Sequence, residues 1–378
     1  MKVCAKCLYT DSHPFGLKFD EFGICAGCII HKERKSVDWK AKRQEISNIA
    51  SEFRKVSGSG YDCLIEARGD LVGCYAVYKV VHELKLTPLL VVHNGFGNTI
   101  QGIRNIERIR KSFGLELIQE SPPLQDYKVA MRNLLAEKGH VRWLKKAGQY
   151  SFLFRVARRK KIPLIFFPEL QTAEQVGMFS HNQRIGFTPW YRNSFDLQID
   201  NLDSFDYLIP EKIWDYYQLP ENEPEYFQNV HTEYVSQYFN WDLNKEGEKV
   251  FNALGLEKVN RLGLISNSEG IQDIFNLGID DILKYAKYGV SKIHDQVVRE
   301  VRFGRMSRNQ AQSLLNDFSW SNRLSLLKAF CDFLGLGENA LTYLLRYFGE
   351  ERHLSSQVVL GGLKNAEPTN SFIFHRGI

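Results

Sequence analysis

No stretch of this 378-residue sequence is apolar for long enough to cross a membrane. A bilayer requires roughly 18 consecutive apolar residues, and every apolar run here is interrupted sooner. The first residues, Met-Lys-Val-Cys-Ala-Lys-Cys, also have no apolar core of the kind found in secretory signal peptides. We therefore expect a cytoplasmic protein with no membrane partner.

The sequence also has little net charge. Its 49 basic residues nearly cancel its 44 acidic residues, which leaves a net charge of only +5. This balance argues against nucleic acid as a partner, because binding to a phosphate backbone needs a concentrated positive surface. The densest basic run, 155–161, ends an apolar-periodic segment, where cations meet the negative end of a helix. A patch for an anion or a nucleic acid is the alternative for that run.

Seven cysteines are an odd number for a disulfide framework. Four of them instead form two Cys-x-x-Cys pairs, Cys4 with Cys7 and Cys25 with Cys28. Each pair can reach one ion and two pairs complete a tetrahedron, which predicts a structural zinc site in a reducing compartment. An iron–sulfur cluster and a redox pair are the alternatives. The other three cysteines are expected to be small buried apolar groups: Cys63, Cys74 and Cys331.

Downstream of the cysteine pairs, short apolar strands alternate with helical patterns, which favours an α/β fold with a parallel sheet covered on both faces. The predicted strands are 61–66, 88–93, 115–119 and 163–167, and the predicted helices are 71–85, 98–113, 124–138 and 150–160. The predicted organisation is a four-cysteine zinc knuckle at 1–35, a linking helix at 36–60, an α/β domain at 61–200, a mainly helical region at 201–365 and a tail at 366–378.

The segment 61–75 is the first candidate for a ligand site. An apolar strand breaks at Arg68-Gly69-Asp70 and passes into a helical pattern that has Gly73 in its first turn. The first N–H groups of a helix lack partners within the helix and suit a phosphate. Many strand–turn–helix joints bind nothing, so a purely structural role for this turn remains open.

Two other predicted strands also end in polar corners. His93, Asn94 and Gly95 follow the second strand, and Glu169 follows the last one. Ligands of parallel sheets bind beyond the carboxyl ends of the strands, so we expect these corners to converge with residues 68–73 on one crevice. The first corner is a candidate for nucleotide binding and Glu169 for substrate positioning. Asn94-Gly95 is also a common turn signal, and Glu169 can equally be an exposed loop acid.

From about residue 195 the alternation fades and aromatic residues become frequent. They are typical of helix packing, and a carbohydrate or nucleotide surface is the alternative. The residues Ser307 to Gln310 predict a capping box at the start of a helix. Four basic side chains close to glycines suit an anionic ligand and are candidate substrate or catalytic residues: Lys284, Lys287, Arg302 and Arg305.

Several motifs of the chain occur in a recognisable order over most of residues 1–315. They are the paired cysteines with Phe19-Asp20 and Gly23 between them, Asp38-Trp39, Tyr61-Asp-Cys63, Leu89 to Gly95, Ala157 to Glu169, Phe239-Asn-Trp-Asp242, Lys284-Tyr-Ala-Lys-Tyr-Gly289 and Arg302-Phe-Gly-Arg-Met-Ser-Arg308. In this order they resemble the N-acetyl sugar amidotransferase family of bacterial surface-polysaccharide clusters, which belongs to the PP-loop ATP pyrophosphatases.

The resemblance implies a PP-loop (HUP-like) domain and ATP-dependent chemistry on an N-acetylated sugar in lipopolysaccharide or O-antigen biosynthesis. In that family ATP adenylates an oxygen of the sugar, and ammonia from a partner glutaminase then displaces AMP. The phosphates lie on a loop reading Ser-Gly-Gly-Lys-Asp-Ser. The aligned residues here are Arg-Gly-Asp-Leu-Val-Gly at 68–73, of which only Gly69 is kept. Because the lysine is lost and Asp70 adds a like charge beside a polyanion, the loop argues against ordinary use of ATP and Mg²⁺.

Three functions therefore remain open. The first is an amidotransferase-like enzyme that acts on a small sugar and receives ammonia from a separate glutaminase subunit. Its nucleotide-binding loop would differ from that of the family. Alternatively, the chain is a catalytically degenerate relative that serves as a binding or scaffold subunit beside an active paralogue. The third function is a tRNA- or nucleobase-modifying enzyme, against which the near-neutral charge balance argues.

Overall fold

Five parallel strands form the central sheet of the protein. The computed structural model describes residues 1–57, 60–139, 141–168, 175–191, 206–218, 230–259 and 263–366. The strands are β1 Cys63–Glu66, β2 Pro88–His93, β3 Leu117–Glu120, β4 Leu164–Phe167 and β5 His231–Tyr234, in the spatial order β3-β2-β1-β4-β5. The three inner strands are buried along their whole length and are apolar except at their last residues Glu66 and His93, as expected for parallel strands covered on both faces. The predicted α/β class is confirmed.

All carboxyl ends of the strands lie at one edge of the sheet, which we call the rim. The parallel register pairs Glu66 with Val91, His93 with Glu120, and Phe167 with Tyr234, so each strand delivers its last residues to this edge. The strand order reverses between β1 and β4, where sheets of this kind leave a crevice for ligands. The predicted nucleotide loop follows β1 directly and therefore begins at this crevice.

Six α-helices precede β4 among the described residues. They are α1 Ala26–Glu33, α2 Trp39–Val56, α3 Leu71–Tyr78, α4 Ile100–Phe113, α5 Leu124–Lys138 and α6 Trp143–Lys160. Helix α6 packs against β1, β2 and β4, and a π-helical turn at Lys79–Glu83 prolongs α3. The bounds of β2 and α5 match the prediction, whereas α6 begins one to two turns before residue 150.

The C-terminal part is helical, with the exception of β5, which the sequence analysis did not predict. Its helices are α7 Glu248–Ala253, α8 Asp281–Tyr288, α9 Lys292–Arg302, α10 Arg308–Asn316, α11 Ser321–Leu334, α12 Glu338–Tyr347 and α13 Ser356–Lys364. Ser307 and Gln310 form the predicted capping box at the start of α10. Within the described residues, none of the helices combines the length and the apolar character that a membrane span needs.

The cysteine knuckle shares a small core with the C-terminal helices. Leu8, Tyr9 and Leu17 of the knuckle pack in one cluster with Val297 and Val301 of α9. The hydroxyl of Tyr9 donates to Asp295 Oδ1 at 2.7 Å, across 286 residues of sequence. The knuckle is therefore built into the protein and is not an appended module.

The edge strand β5 is fastened by the buried carboxylate of Glu233. Glu233 accepts hydrogen bonds from His231 Nε2, Tyr238 Oη and Arg184 Nε. Burial raises the pKa of this carboxyl, but the three donors and the nearby Arg184 charge outweigh burial and hold the pKa of Glu233 below its usual range. The ionised form is therefore the one that the fold favours.

We expect Glu233→Gln to reduce the loss of stability on acidification. Because the unfolded carboxyl binds its proton at a higher pH than the folded one, the contribution of Glu233 is fully present above the unfolded pKa of about 4.3 and is lost as the pH falls through the folded pKa. At pH 7 the variant should lose about 1–3 kcal/mol of unfolding free energy, since Arg184 and His231 lose a charged partner. Urea unfolding between pH 7 and pH 3 measures both effects, and an equally steep acid slope in the two proteins would contradict this role.

Candidate metal centre and nucleotide loop

The four predicted metal ligands lie together in one buried cluster. Cys25 is the N-cap residue of α1 and Cys28 lies in its first turn, while Cys4 precedes and Cys7 ends a turn near the start of the chain, at 5–7. The four sulfur atoms lie within 4.8 Å of one another, with 4.0 Å between Cys4 and Cys28 and 3.5 Å between Cys7 and Cys25. Zinc–sulfur bonds of about 2.3 Å in a tetrahedron place sulfur atoms about 3.8 Å apart. The cluster therefore fits a metal ion such as zinc.

The surroundings of the cluster suit the negative charge of a four-thiolate metal site. The backbone N–H groups of Lys6 and Cys25 point at Cys4 Sγ, at 3.4 and 3.3 Å. The guanidinium of Arg302 donates to Cys25 Sγ at 3.5 Å and to the carbonyl oxygen of Gln175 at 2.9 Å. Four thiolates on a divalent ion carry a net charge of −2, and Arg302 offsets part of it. Such a closed set of ligands supports the fold and leaves no position for a substrate.

The other three cysteines are remote from this chemistry. Cys63 and Cys74 are fully buried, and burial raises the pKa of both thiols well above its usual value. Cys331 is partly buried, and burial raises the pKa of its thiol to about 12. All three thiols are therefore protonated and unreactive near neutral pH.

The predicted nucleotide loop is closed by its own acidic residue. Asp70 is the N-cap residue of α3, and its Oδ1 accepts the N–H of Gly73 at 3.0 Å. Its other oxygen accepts from Arg68 Nη2 at 2.5 Å, and the Asp70 side chain is only 1% exposed. The carboxylate thus occupies the place at the helix start where an anion would bind.

A distant segment, Ser268–Ile274, covers the same loop and is called here the rim segment. Gln272 Oε1 accepts the N–H of Gly69 at 2.8 Å, and the carbonyl oxygen of Ser268 accepts the N–H of Leu71 at 2.9 Å. Further along, Thr99 Oγ1 donates to the carbonyl oxygen of Ile271 at 3.0 Å. The rim segment therefore joins the ends of β1 and β2. The N–H groups of Gly69, Leu71 and Gly73 are all donated within the protein.

The two glycines of the loop are required by packing. A Cβ atom on Gly69 would lie 1.8 Å from the carbonyl oxygen of Gly102 in the first turn of α4. A Cβ atom on Gly73 would lie 2.3 Å from the Cβ atom of Arg68. Close approach of backbone to backbone thus explains both glycines without a ligand.

The corner after β2 lies at the same rim but is built into the core. His93 is buried, and its Nδ1 lies 2.9 Å from Glu120 Oε1 at the end of β3. Burial lowers the pKa of His93, and Glu120 opposes this shift. Asn94 Oδ1 accepts the N–H of Phe96 at 2.9 Å, which forms a tight turn, and the carbonyl oxygen of Gly95 accepts from Tyr127 Oη at 2.9 Å. The polar groups of this corner named here therefore bond within the protein and fix the course of the chain after β2.

The four candidate cations of the C-terminal region are each held by acceptors away from residues 67–74. Lys284 pairs with Asp295 at 3.2 Å and Lys287 with Glu350 at 2.5 Å. Arg305 pairs with Glu300 and Asp242, at 2.5 and 2.7 Å. Arg302 lies beside the cysteine cluster as described above. Glu169, the remaining candidate, lies outside the described residues.

Sequence reasoning missed the residues that close the loop, Ser268 and Gln272. Gln272 lies 203 positions beyond Gly69, and no local pattern around it indicates which surface it covers. A serine- and glycine-containing stretch such as 266–270 signals a turn, but it does not indicate which part of the protein the turn contacts.

One of three comparisons with known proteins bears on the resemblance that the motifs indicate. A family model described as "LPS biosynthesis protein WbpG-like, C-terminal domain" matches residues 269–364, about a quarter of the chain. The search of curated proteins gives no match. Among solved structures, the chain is similar to the NMN synthetase from Francisella tularensis, with 13% identity, a TM-score of 0.28, and coverage of 71% of this chain and 97% of that chain. The family match confirms, for residues 269–364, the resemblance to proteins of lipopolysaccharide biosynthesis.

We expect one zinc ion per chain, and we expect Cys25→Ser to lose both the ion and the soluble fold. Structural zinc binding in small domains contributes an apparent free energy of about 10–16 kcal/mol, and the knuckle shares its core with α9. Metal analysis and soluble yield measure the effect, with Cys331→Ser as the control that keeps the ion. A metal-free protein that melts at an unchanged temperature would contradict a structural role.

We expect Asp70→Ala to lower the unfolding free energy by about 2–5 kcal/mol. An N-cap contributes about 0.5–2 kcal/mol, and the buried partner of Arg68 adds about 1.5–3 kcal/mol for a charged hydrogen bond. Asp70→Asn keeps the cap acceptor and should cost less. Asp38→Ala, which removes the exposed cap of α2, isolates the capping effect in the same urea experiment. Equal losses for Asp70→Ala and Asp38→Ala would show that the Arg68 pair contributes nothing.

Proposed function

We propose that this chain acts in the biosynthesis of a bacterial surface polysaccharide, as a relative of the N-acetyl sugar amidotransferases that binds or scaffolds and does not itself use ATP. The WbpG-like match at residues 269–364 supports the pathway. The four-cysteine cluster belongs to this proposal as a structural zinc site, and its thiolates suit a reducing compartment such as the cytoplasm. An active paralogue is the partner that such a subunit requires.

The observation that carries the proposal is the closed state of the loop after β1. Three N–H groups suited to phosphate oxygens, those of Gly69, Leu71 and Gly73, already donate to Gln272, Ser268 and Asp70. A bound phosphate would have to replace these hydrogen bonds, each worth about 0.5–1.5 kcal/mol net. It would also meet the Asp70 carboxylate, and two like charges 4 Å apart repel by about 4 kcal/mol at an effective dielectric constant of 20.

The rim segment belongs to the region that resembles the polysaccharide family, since the match begins at Glu269. Lys145 from α6 pairs with Asp273 of this segment at 2.9 Å, so a cation at the rim is also neutralised internally. The loop after β1 is therefore covered by a part of the protein itself, with a Lys145–Asp273 ion pair beside it. This arrangement supports a binding role for the α/β domain.

ATP-activated transfer of ammonia from a partner glutaminase to an N-acetylated sugar is the second candidate. It is favoured by the polar side chains at the ends of three adjacent strands, Glu66, His93 and Glu120. Glu66 accepts from Gln149 Nε2 at 2.6 Å, and Glu120 accepts two hydrogen bonds from Arg155. Sheets of this order bind ligands at this edge, so displacement of the rim segment would open a polar site.

Calorimetric titration with ATP and Mg²⁺ distinguishes the two candidates. We expect no binding by the natural protein, because its loop donors are engaged and Asp70 repels the phosphates. Asp70→Asn combined with Gln272→Ala removes the charge and frees the Gly69 N–H, and should gain measurable affinity. Gln312→Ala, which removes an exposed glutamine on α10, is the matched control and should stay silent.

Tight binding of ATP by the natural protein, with release of AMP when an N-acetylated sugar and ammonium are added, would overturn the proposal in favour of the amidotransferase. Silence in the folded Asp70→Asn, Gln272→Ala variant would show that closure of the loop is not what prevents binding. Direct replacement of 68–73 by the family motif is a poorer test, because the Cβ atom of a serine at position 73 would lie 2.3 Å from the Cβ atom of residue 68, which the replacement keeps.

A further inference from the structure

A small cleft lies between the cysteine knuckle and helix α9, apart from the rim. Arg34 and His31 come from the end of α1, Arg299 and Arg302 from α9, and Trp241 from the loop after β5. The cleft has a free volume of about 60 Å³, several times the roughly 10–15 Å³ that a cavity needs to hold one water molecule. This space is sufficient for a phosphate or carboxylate group.

The guanidinium groups that line the cleft are held in fixed positions. Arg34 is 7% exposed, lies between the rings of Trp39 and Phe303, and donates to the carbonyl oxygen of Trp241 at 2.6 Å. Arg302 lies over the Tyr9 ring, 5.2 Å from its centroid. Guanidinium groups that are already ordered lose little freedom when they bind an oxyanion, and their planar forks match its oxygen atoms.

Three of the four charged side chains that line the cleft are arginines. Three arginines line it against one carboxylate, Asp295, which Tyr9 and Lys284 already bind. Arg299 is paired with Glu269, and Arg302 faces the thiolates. Burial and then the charge of Arg34 lower the pKa of His31 to about 3 and of His181 to about 4, so both imidazoles are neutral at pH 7. Neutral imidazoles add hydrogen-bonding groups without a charge of their own.

We propose that this cleft binds the phosphate or carboxylate group of a small ligand, with Trp241 as the apolar wall for the ring that carries the group. Aromatic faces and arginine forks together suit a charged sugar, such as a sugar phosphate or a uronic acid. That the ligand is a sugar rests on the function proposed above, whereas the binding of the anionic group rests on the arginines alone.

The cleft is connected to the loop after β1 through the rim segment. Glu269, the ion-pair partner of Arg299, follows Ser268, whose carbonyl oxygen accepts the N–H of Leu71. An anion that binds Arg299 competes with Glu269 and thereby weakens one attachment of the rim segment. Occupation of the cleft is thus coupled to the closed state of the loop.

Three probes at constant ionic strength test the proposal: inorganic phosphate, glucuronate and neutral N-acetylglucosamine. We expect calorimetry to show binding of at least one of the two anions and none of the neutral sugar. Phosphate alone points to a sugar phosphate, and glucuronate alone points to a uronic acid. Failure of both anions, or equal binding of the neutral sugar, would overturn the proposal.

The double variant Arg299→Gln, Glu269→Gln removes one guanidinium and, with it, the charge of its buried partner Glu269, so that no buried carboxylate loses its cation. We expect at least a tenfold loss of anion affinity in this variant. The matched control is Arg184→Gln, Glu233→Gln, which removes a comparable ion pair with a buried glutamate outside the cleft and should keep the affinity. Equal losses in the two folded variants would overturn the assignment to the cleft. These titrations contain no ATP, so their outcome is independent of the test of the loop after β1.

Discussion

The hydrogen bonds between the rim segment and the strand ends are the contacts on which the rest of the architecture depends. Gln272 and the carbonyl oxygen of Ser268 accept N–H groups of the loop after β1, and the carbonyl oxygen of Ile271 accepts from Thr99 beyond β2. All these groups are buried, so leaving them without partners would cost about 1–3 kcal/mol each. The C-terminal region therefore completes the α/β domain, and the site inferred from the motifs cannot be described without it.

The loop shows how one arrangement of polar groups serves two opposite purposes. The start of α3 presents N–H groups that attract an anion, and in this protein the anion is a side chain of the loop itself. Asp70 satisfies the helix, and Arg68 satisfies Asp70. N–H groups that donate within the protein stabilise the fold. N–H groups that are kept for a ligand are exposed to water when no ligand is bound. The residues Arg-Gly-Asp-Leu-Val-Gly at 68–73, which differ from the family motif Ser-Gly-Gly-Lys-Asp-Ser, fit a loop whose donors are bonded within the protein.

Much of the fold, but less of the site, could be predicted from the sequence. Continuous apolar runs predict β2 and β4, and the spacing of four cysteines predicts their cluster. Both patterns can be read from residues that are close together in the sequence. The strand β5 was not predicted, since His-Thr-Glu-Tyr has neither an apolar run nor a flanking alternation, and its place is set by neighbours. The closure of the loop and the arginine cleft also escaped prediction, because each brings together residues that lie far apart in the chain. The residue types indicated an anion-binding site after β1, but only the folded structure shows that the carboxylate of Asp70 already takes the place of the anion.

The contact between Tyr9 of the knuckle and Asp295 of α9 has a consequence for how the chain reaches its native state. The two residues are 286 positions apart, so the knuckle leaves the ribosome long before its packing partner is synthesised. Until then, the apolar side chains of Leu8, Leu17 and Tyr9 have no native surface to cover them. Contacts that close such long loops form slowly. If a metal ion bound the four cysteines early, it would organise these few residues during that delay, and it would then contribute to folding before it contributes to the stability of the mature protein.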